Sequence, residues 1–400
     1  MDPFGKAPVR RGTDCVKWDT LPEGVIPMWV ADMDFETAPC VRKAVMERAA
    51  HGVYGYTAVP ERFYRSVCGW FSSRHGWTPE PEWIIPTTGV VPAISACIEA
   101  FTQPGDKVII MTPVYNCFFS SIRNYGCAAL DVPLKTAVRH GRPRYEVDFG
   151  ALEKAAADPG AKVMLICSPH NPAGRVWTAE ELHRMGEICL RNGVVPVVDE
   201  IHCEFVMPGG KFVPFGSLSQ EFERKSVILN SPGKAFNMAG LQIACVFCAD
   251  PGMRAKVDKA INVNEICDVN PFGVAALQAA YTGEGARWLD GLNGRIAANY
   301  AILEETAAAS LQELPLYVLE GTYLAWMDIR KICLNPDGSL RISSKEVEQS
   351  LVDVEKVRLN NGEIYGCEGF LRINLACPET QLREGLERAV RGLRRLLEEI

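Results

Sequence analysis

Short apolar runs alternate with helix-length segments through the middle of the sequence, and this alternation restricts the possible folds more than any other feature. The clearest runs cover residues 107–111, 163–167, 194–198 and 227–229. Each is almost entirely apolar, which is typical of parallel strands buried on both faces. The pattern predicts an α/β fold with a mostly parallel sheet sandwiched by helices, whose ligands bind beyond the carboxyl ends of the strands. Helices that the same reading predicts include residues 39–50, 61–75 and 90–101.

The sequence pattern changes after residue 250, where long amphipathic helices precede strands predicted at residues 317–320, 323–327 and 370–375. This second pattern predicts a smaller α+β domain. We expect an N-terminal arm and helix that contribute to the small domain, followed by a large domain and a small C-terminal domain. These three regions cover residues 1–50, 51–280 and 281–400.

Composition and charge indicate neither a nucleic-acid nor a membrane partner. The 400 residues are 48% hydrophobic and carry a formal net charge of -7, without a dense cluster of lysine and arginine. Residues 1–6 have neither the apolar core nor the cleavage site of a signal peptide, and no apolar run is long enough to cross a bilayer. We therefore expect a cytoplasmic protein.

Fifteen cysteines are scattered through the chain, mostly in apolar segments, where free cysteine behaves as a small buried hydrophobe. Cys245 and Cys248 have the spacing of a redox motif, but alternation along a strand would place their side chains on opposite faces. We expect core thiols in a reducing compartment rather than disulfides or a metal site.

Lys234 lies in a turn of small residues, 231–240, between two apolar runs. Burial lowers the pKa of an amine because desolvation disfavours its charged form. A neutral, held amine is what a lysine needs in order to bond to an aldehyde. A lone lysine in such a turn is more often a solvated loop residue, so the role of Lys234 depends on the other polar residues.

Further polar residues follow other predicted strands. Asp199 ends one strand, where a buried acid needs a metal, a proton or a cationic ring nitrogen as its partner. His202 offers a second metal ligand, but no third ligand has a suitable spacing, so we expect no metal. Asn171 lies in a rigid turn after another strand and is either a turn former or a hydrogen-bond donor.

Three more features suit an anion, an aromatic ring and a carboxylate. Gly89 and Val90 open a helix, and N–H groups at a helix N-terminus favour an anion. Tyr115 follows a further strand and could cover a ring. Arg372 is flanked by apolar residues and is either a paired structural ion or a clamp for a carboxylate.

A phosphate-bearing aromatic aldehyde would use all of these groups at once. Its aldehyde would bond to Lys234, and its ring nitrogen would pair with Asp199. Asn171 would touch the ring hydroxyl, and Tyr115 would cover the ring. The combination indicates the cofactor pyridoxal 5′-phosphate (PLP).

Several motifs carry a family resemblance that covers nearly the whole chain. They are residues 11–19, 28–35, 88–93, 113–115, 168–177, 199–202, 234–237 and 368–378. In these motifs the chain resembles fold-type I PLP-dependent enzymes of aminotransferase class I/II. Within them it is similar to the MalY/PatB-type cystathionine β-lyases, which are C–S lyases. The resemblance implies a seven-stranded-type sheet in a large PLP-binding domain.

The resemblance also implies roles around the cofactor ring. Lys234 bonds to the cofactor and then moves the proton of the substrate α-carbon. Asp199 binds the pyridine nitrogen, while Asn171 and His202 lie beside the ring oxygen. Tyr115 stacks on the ring.

Further implied roles concern the phosphate, the substrate and a second subunit. The phosphate contacts are Gly89, Val90 and Ser231. Arg372, aided by the backbone near Ala31, binds the carboxylate of an amino-acid substrate. Tyr56 reaches the phosphate of the neighbouring subunit, which implies a homodimer with shared active sites.

Four positions depart from the family pattern. Gly233 and Ala235 stand where the family often has hydroxyl residues, so one phosphate contact is expected to be missing. Cys117 replaces a common proline. Gln242 stands where many aminotransferases place a phosphate-binding arginine, although the β-lyase subgroup resembles this chain there. These departures concern cofactor affinity more than the type of reaction.

The resemblance implies a β-lyase that cleaves cystathionine or a related L-cysteine conjugate to a thiol such as homocysteine, pyruvate and ammonia. An aminotransferase, which passes an amino group between an amino acid and a 2-oxo acid, would use the same residues up to the carbanion. The sequence separates these two activities poorly. A third hypothesis is a PLP-binding regulatory protein that acts through a protein contact.

Overall fold

The computed structural model describes residues 3–263 and 268–399. Its α-helices are α1 (Val16–Asp19), α2 (Pro39–Ala50), α3 (Glu61–His75), α4 (Val90–Phe101), α5 (Asn116–Asn124), α6 (Phe149–Ala156), α7 (Ala179–Arg191), α8 (Gln220–Lys225), α9 (Pro232–Ala235), α10 (Pro251–Asn262), α11 (Pro271–Ala280), α12 (Gly283–Ser310), α13 (Arg330–Cys333), α14 (Ser344–Ser350) and α15 (Glu379–Glu398). Its strands are β1 (Ile26–Pro27), β2 (Ile84–Thr87), β3 (Lys107–Ile110), β4 (Ala128–Asp131), β5 (Lys135–Arg139), β6 (Arg142–Glu146), β7 (Ala161–Cys167), β8 (Val195–Asp199), β9 (Val227–Asn230), β10 (Ala244–Phe247), β11 (Leu324–Asp328), β12 (Val357–Arg358), β13 (Asn360–Asn361) and β14 (Phe370–Asn374). In these described ranges no helix is both long and apolar enough to cross a membrane.

The central sheet has seven strands in the order β2-β10-β9-β8-β7-β3-β4. Strand β10 is antiparallel to both of its neighbours, whereas β9, β8, β7, β3 and β4 run parallel to one another. Asp199, the last residue of β8, is paired with Cys167 of β7 and with Leu229 of β9. The carboxyl ends of three central strands therefore lie at one level, and the predicted mostly parallel sheet is confirmed.

Helices cover both faces of this sheet, and each face has its own apolar core. Within β7, Met164 and Ile166 belong to one core, while Leu165 and Cys167 belong to the other. Helix α7 adds its buried residues to the first core and helix α4 to the second. This alternation is the reason that the strands read as continuous apolar runs in the sequence.

The two cysteines with redox-motif spacing lie on different faces of the sheet, as predicted. Cys245 belongs to the first core and Cys248 to the second. Burial raises the pKa of both thiols. Every cysteine within the described ranges is a free thiol.

A smaller antiparallel sheet, β11-β14-β13, belongs to a second part of the chain. Helices α12 and α15 share one apolar core with it. The N-terminal arm joins this core, because β1 pairs in parallel with β12 and Met28 is buried there. The domain boundaries at residues 50 and 280 stay predictions.

Two predicted segments differ from the structure. Residues 317–320 form no strand, because the N–H of Val318 donates to Pro143 and that of Glu320 donates to Gly174. Hydrogen bonds to such separate segments make no continuous ladder. The apolar pattern of this segment therefore reflects burial rather than strand pairing.

The hairpin of β5 and β6 was absent from the sequence prediction. Its central residues, His140 and Gly141, both have positive φ angles, 51° and 75°. Two-residue hairpin turns of this kind need positive φ at both positions. The hairpin escaped prediction because its strands are polar, with β5 largely exposed and β6 mostly half-buried, unlike the apolar runs of the sheet.

Candidate active site

A cavity of about 280 Å³ lies at the carboxyl ends of β7, β8 and β9. The predicted site residues that line it are Ala31, Gly89, Val90, Tyr115, Asn171, Asp199, His202, Ser231 and Lys234. Arg372 does not line the cavity itself, but it donates a hydrogen bond to the lining residue Asn171. The side chain of Tyr56 is fully exposed and takes no part in the cavity of its own chain.

Lys234 lies in the short helix α9 that follows β9. Its Nζ atom donates a hydrogen bond of 2.6 Å to the carbonyl oxygen of Ala31. Burial, and then the positive charge of Arg372, lower the pKa of the amine to about 8, against the opposing effect of Asp32 and Asp199. The neutral amine is therefore well populated near pH 8, and this is the form that bonds to an aldehyde or accepts a proton.

Asp199 is a buried acid that forms no ion pair with any described residue. Its side chain accepts a hydrogen bond of 3.1 Å from the N–H of Ile201. Burial raises the pKa of the carboxyl to about 6, and that hydrogen bond and the charge of Lys234 only partly offset the effect. A cationic or proton-bearing group in the cavity would stabilise the ionised form.

Arg372 is a buried guanidinium that forms no ion pair with any described carboxylate. Its Nη1 atom donates to Oδ1 of Asn171 (3.1 Å), and its Nη2 atom donates to the carbonyl oxygen of Trp29 (2.7 Å). Its Nε atom is buried without a partner. The guanidinium also lies over the ring of Tyr365, 4.8 Å from its centroid. Arg372 is therefore held in place without an anionic partner, and a carboxylate ligand would supply one.

Asn171 keeps its amide donor for the cavity. Its Oδ1 atom is used by Arg372. No residue in the described parts of the chain accepts a hydrogen bond from its Nδ2 atom, although the side chain is buried. A ligand oxygen next to Asn171 would therefore gain a directed donor.

His202 is a buried histidine whose ring makes no hydrogen bond with the described residues, and its Nδ1 atom is shielded from solvent. Burial, and then the charges of Lys234 and Arg372, lower its pKa well below the ordinary value. The imidazole is therefore neutral at physiological pH. A neutral ring can both donate and accept a hydrogen bond towards a ligand.

A group of potential metal ligands, His75, Cys203 and Glu204, lies outside the cavity lining, and no other is found in residues 3–263 and 268–399. The Glu204 carboxylate is already bonded by Trp70 Nε1 (2.6 Å) and Arg74 Nε (3.0 Å), and His75 Nε2 lies 2.8 Å from it. These contacts lower the pKa of Glu204 in spite of burial. The cluster is a satisfied network rather than a set of free ligands.

The predicted anion site combines a helix N-terminus with a tight turn. Gly89 precedes the first residue of α4, Val90. The hydroxyl of Ser231 donates to the carbonyl oxygen of Ile243 (2.6 Å) and accepts from the N–H of Gly233 (2.9 Å). The hydroxyl proton of Ser231 is therefore already used within the turn.

The glycine at position 233 has a steric reason. A Cβ atom there would lie 3.0 Å from the hydroxyl oxygen of Ser231, which is tighter than ordinary van der Waals contact. Glycine at position 233 thus leaves room for the Ser231 hydroxyl, which accepts a hydrogen bond from the N–H of Gly233.

Tyr115 caps helix α5 and lines the cavity. Burial, and then its neighbour Cys117, raise the pKa of its phenol. The phenol therefore stays protonated at physiological pH. Gln242 also lines the cavity and has a positive φ of 46°, which is uncommon for a residue with a side chain.

Residues 29–34 of the N-terminal arm, here called the strap, contribute Ala31 to the lining of the cavity. The carbonyl oxygen of Ala31 accepts hydrogen bonds from Lys234 and from the phenol of Tyr323 (2.9 Å). Asn374 Nδ2 donates to the carbonyl oxygens of Val30 (2.5 Å) and Asp32 (2.7 Å). The strap thus touches both the lysine and the strand that carries the arginine.

Sequence reasoning missed three residues that hold the strap by hydrogen bonds, Tyr323, Asn374 and Asn237. Asn237 has a positive φ of 50° and bonds to both the N–H and the carbonyl group of Met33. Asn237 and Asn374 belong to motifs that carry the family resemblance, which was the available signal. Their partners in the strap could not be read from those motifs.

The chain belongs to the aminotransferase class I and II family, whose model matches residues 23–388. Within the family it is similar to the cystathionine beta-lyase PatB of Bacillus subtilis (strain 168), with 38% identity over 392 residues, 96% of this chain and 98% of that protein. Protein MalY of Escherichia coli (strain K12) is 30% identical over 403 residues, 98% of this chain and 99% of that protein. The predicted resemblance to MalY/PatB-type C–S lyases is confirmed.

Solved structures share the whole fold. Cystalysin from Treponema denticola, which contains a pyridoxal 5′-phosphate cofactor, has a TM-score of 0.92 and 32% identity, covering 99% of this chain and 100% of that chain. The PLP-bound C-S lyase from Staphylococcus hominis has a TM-score of 0.89 and 30% identity, covering 98% of each chain. The predicted fold-type I architecture is confirmed.

Proposed function

We propose that this protein is a PLP-dependent carbon–sulfur β-lyase that cleaves cystathionine or a related L-cysteine conjugate to a thiol, pyruvate and ammonia. One observation carries the proposal: a lysine of lowered pKa, a buried acid without an ion-pair partner and a buried arginine without a carboxylate lie in or directly beside one cavity. These residues are Lys234, Asp199 and Arg372. The names of PatB and of the Staphylococcus hominis enzyme support the proposed reaction.

The unpaired polar atoms of the cavity fit PLP. Asp199 would hold the ring nitrogen in its protonated form, which would also offset the cost of burying the carboxylate. Asn171 would donate through Nδ2 to the ring oxygen, with the neutral imidazole of His202 beside it. Tyr115 would cover the ring, and Lys234 would hold the aldehyde.

The phosphate would lie at the N-terminus of α4, where backbone N–H groups and the helix dipole favour an anion. The proposed contacts from this chain are Gly89, Val90 and Ser231. Ser231 would contribute through its backbone, because its hydroxyl proton is used by Ile243. Tyr56 of the partner subunit would complete the site, so we also propose a homodimer. A cytoplasmic location is a separate part of the proposal.

PLP supplies an aldehyde that exchanges between amines and a ring that withdraws electrons from the α-carbon of an amino acid. Arg372 binds the α-carboxylate and orients the α-hydrogen towards Lys234. The neutral amine of Lys234 accepts that proton, and the electrons left at the α-carbon expel the thiolate from the β-carbon. The thiolate takes up a proton, and water converts the remaining three-carbon fragment to pyruvate and ammonia.

The test is the reaction of the purified, PLP-loaded protein with L-cystathionine. We expect pyruvate and free thiol in equal amounts, and neither product from the Lys234→Ala variant. A 2-oxo acid added to the same reaction separates the aminotransferase alternative. Transfer of the amino group to that acid without release of pyruvate would refute the lyase proposal.

A further inference from the structure

Four charged side chains of the N-terminal arm form a closed cluster around the strap. Arg10 lies 2.6 Å from Asp32 and 2.9 Å from Asp34, measured between nitrogen and oxygen. Lys17 lies 2.8 Å from Asp34 and 3.4 Å from Asp32. Each cation therefore bridges both carboxylates of the strap.

The two carboxylates differ in their surroundings. The side chain of Asp34 is fully buried and also accepts hydrogen bonds from Trp18 and Gln381, both of 2.8 Å. The side chain of Asp32 is 23% exposed. Asp32 directly follows Ala31, and its charge raises the pKa of Lys234 and of Tyr323. Asp34 thus anchors the arm, whereas Asp32 adjoins Ala31, whose carbonyl oxygen accepts the hydrogen bond of the Lys234 amine.

We propose that this cluster is a positioning unit for the active site, in which Asp32, shared by Arg10 and Lys17, holds the Ala31 carbonyl against Lys234 and places a negative charge beside its amine. The role of Lys234 in this inference rests on the proposed function. Arg10 and Lys17 limit the effect of the Asp32 charge, because they are its closest partners. The motifs at residues 11–19 and 28–35 would therefore serve to position the active site rather than to contact the cofactor.

Several other groups face the Lys234 amine and act together with Asp32. Arg372 on β14 lowers its pKa, whereas Asp199 at the end of β8 and Cys117 on α5 raise it. The Lys234 charge in turn lowers the pKa of His202. A substitution in the arm leaves all of these groups in place, so its effect on Lys234 can be isolated.

The test is the pH dependence of reductive methylation of Lys234 in the full-length, PLP-free chain, followed by mass spectrometry of the Lys234 peptide. Only the neutral amine reacts with formaldehyde, so the midpoint measures protonation of Lys234 itself.

Asp32→Asn keeps the size of the side chain and removes its charge, and we expect the midpoint to fall by about half a pH unit or more. Arg10→Gln frees the Asp32 charge, and we expect the midpoint to rise by a similar amount.

The matched control is Glu36→Gln, which removes a carboxylate from the exposed ion pair with Arg42 (2.8 Å), two residues beyond the strap. Its midpoint should equal that of the wild type. Circular dichroism and thermal unfolding establish that each variant is folded.

Opposite shifts in Asp32→Asn and Arg10→Gln support the positioning unit. An unchanged or raised midpoint in Asp32→Asn overturns it, because general loosening of the arm would hydrate the amine and move it towards the ordinary lysine value. If Asp32→Asn does not fold, Arg10→Gln decides together with its thermal unfolding: an unchanged midpoint, or a raised midpoint in a variant whose melting temperature has fallen, overturns the inference. A wild-type chain that gains no visible absorption band with PLP refutes the proposed function instead.

Discussion

Arg372 donates a hydrogen bond of 3.1 Å to Oδ1 of Asn171, which lies 201 positions earlier in the chain. The contact fixes the orientation of both side chains. The amide oxygen is turned to the guanidinium, so the amide donor remains for a ligand. In our proposal this pair links the binding of the substrate carboxylate to the binding of the cofactor ring.

Arg372→Lys should weaken substrate binding while the cofactor stays bound. A lysine keeps the charge but cannot hold Asn171, Trp29 and a carboxylate in one planar arrangement. We expect KM for cystathionine to rise by roughly 10- to 100-fold, the range of one to two charged hydrogen bonds. Pyruvate-release kinetics measure the effect, with Arg42→Lys at an exposed site as control. An unchanged KM would rule out the clamp.

Asn171→Asp should harm the site in a different way. The new carboxylate would pair with the buried guanidinium of Arg372 and occupy the charge that the substrate needs. It would also remove the amide donor. We expect a KM increase of at least about 10-fold and a shifted cofactor absorption band, whereas Arg372→Lys should leave that band in place. A normal spectrum and KM in Asn171→Asp would contradict the proposed orientation of the amide.

Asp199→Asn should impair catalysis and stabilise the PLP-free chain. A neutral amide cannot hold the ring nitrogen protonated, and we expect kcat to fall by roughly 100-fold or more.

Burial raises the pKa of Asp199 from 3.8 to about 6. The stability that Asp199 contributes in its protonated form is therefore complete below pH 3.8 and lost as the pH rises through 6.

At pH 7 the substitution should thus raise the unfolding free energy of the PLP-free chain by about 1 to 3 kcal/mol. Urea unfolding at pH 4 and pH 7 measures the difference, which should be small at the lower pH. A destabilised variant at pH 7 would show that Asp199 has a partner in the free chain.

Glu200→Gln should remove part of the pH dependence of stability. Glu200 is buried, and its Oε1 atom accepts a hydrogen bond of 2.8 Å from the N–H of Phe215. Burial raises its pKa from 4.5 to about 8. Its folded form therefore keeps a proton, and stability falls as the pH rises between these two values.

A glutamine keeps the hydrogen bond to Phe215 and carries no titrating proton. We expect Glu200→Gln to match the wild type near pH 4 and to exceed it by about 1 to 3 kcal/mol at pH 8. Thermal unfolding across this range measures the divergence. Parallel curves for the two proteins would show that Glu200 is ionised in the folded state.

Mixed dimers should test the proposed role of Tyr56. Tyr56→Ala and Lys234→Ala should each be nearly inactive as homodimers. In a mixed dimer one site holds both defects, while the other pairs a native Lys234 with a native Tyr56. Random association should restore activity to about a quarter of the wild-type value. No recovery in mixtures of verified mixed dimers would exclude shared sites.

The sequence predicted the fold best where periodicity and chain breaks agree. The helices α2, α3 and α4 begin and end at the predicted residues. Pro39 marks the start of α2, Pro60 and Gly76 mark both ends of α3, and Gly89 marks the start of α4. The hairpin at His140 was missed, since its polar strands bury little apolar surface. Residues 317–320 were predicted as a strand because the segment is apolar, but its apolar residues reflect burial rather than strand pairing.

The candidate site was predictable as a set of side chains but not as a set of contacts. Lys234, Asp199 and Asn171 follow neighbouring parallel strands, so their meeting follows from topology. The bonds of the strap to Tyr323 and Asn374 depend on tertiary packing, which leaves no local pattern. The sequence also could not show that Arg372 has no carboxylate partner in the described chain.

The strap has a consequence for the order of events during synthesis. Its Trp29 meets Arg372 343 positions later, and its Val30 meets Asn374 344 positions later. The N-terminal segment leaves the ribosome long before these partners are made. The catalytic pocket therefore closes among the last steps of folding, and a nascent chain or one truncated before the last strand has no assembled site with which to act on the amino acids around it.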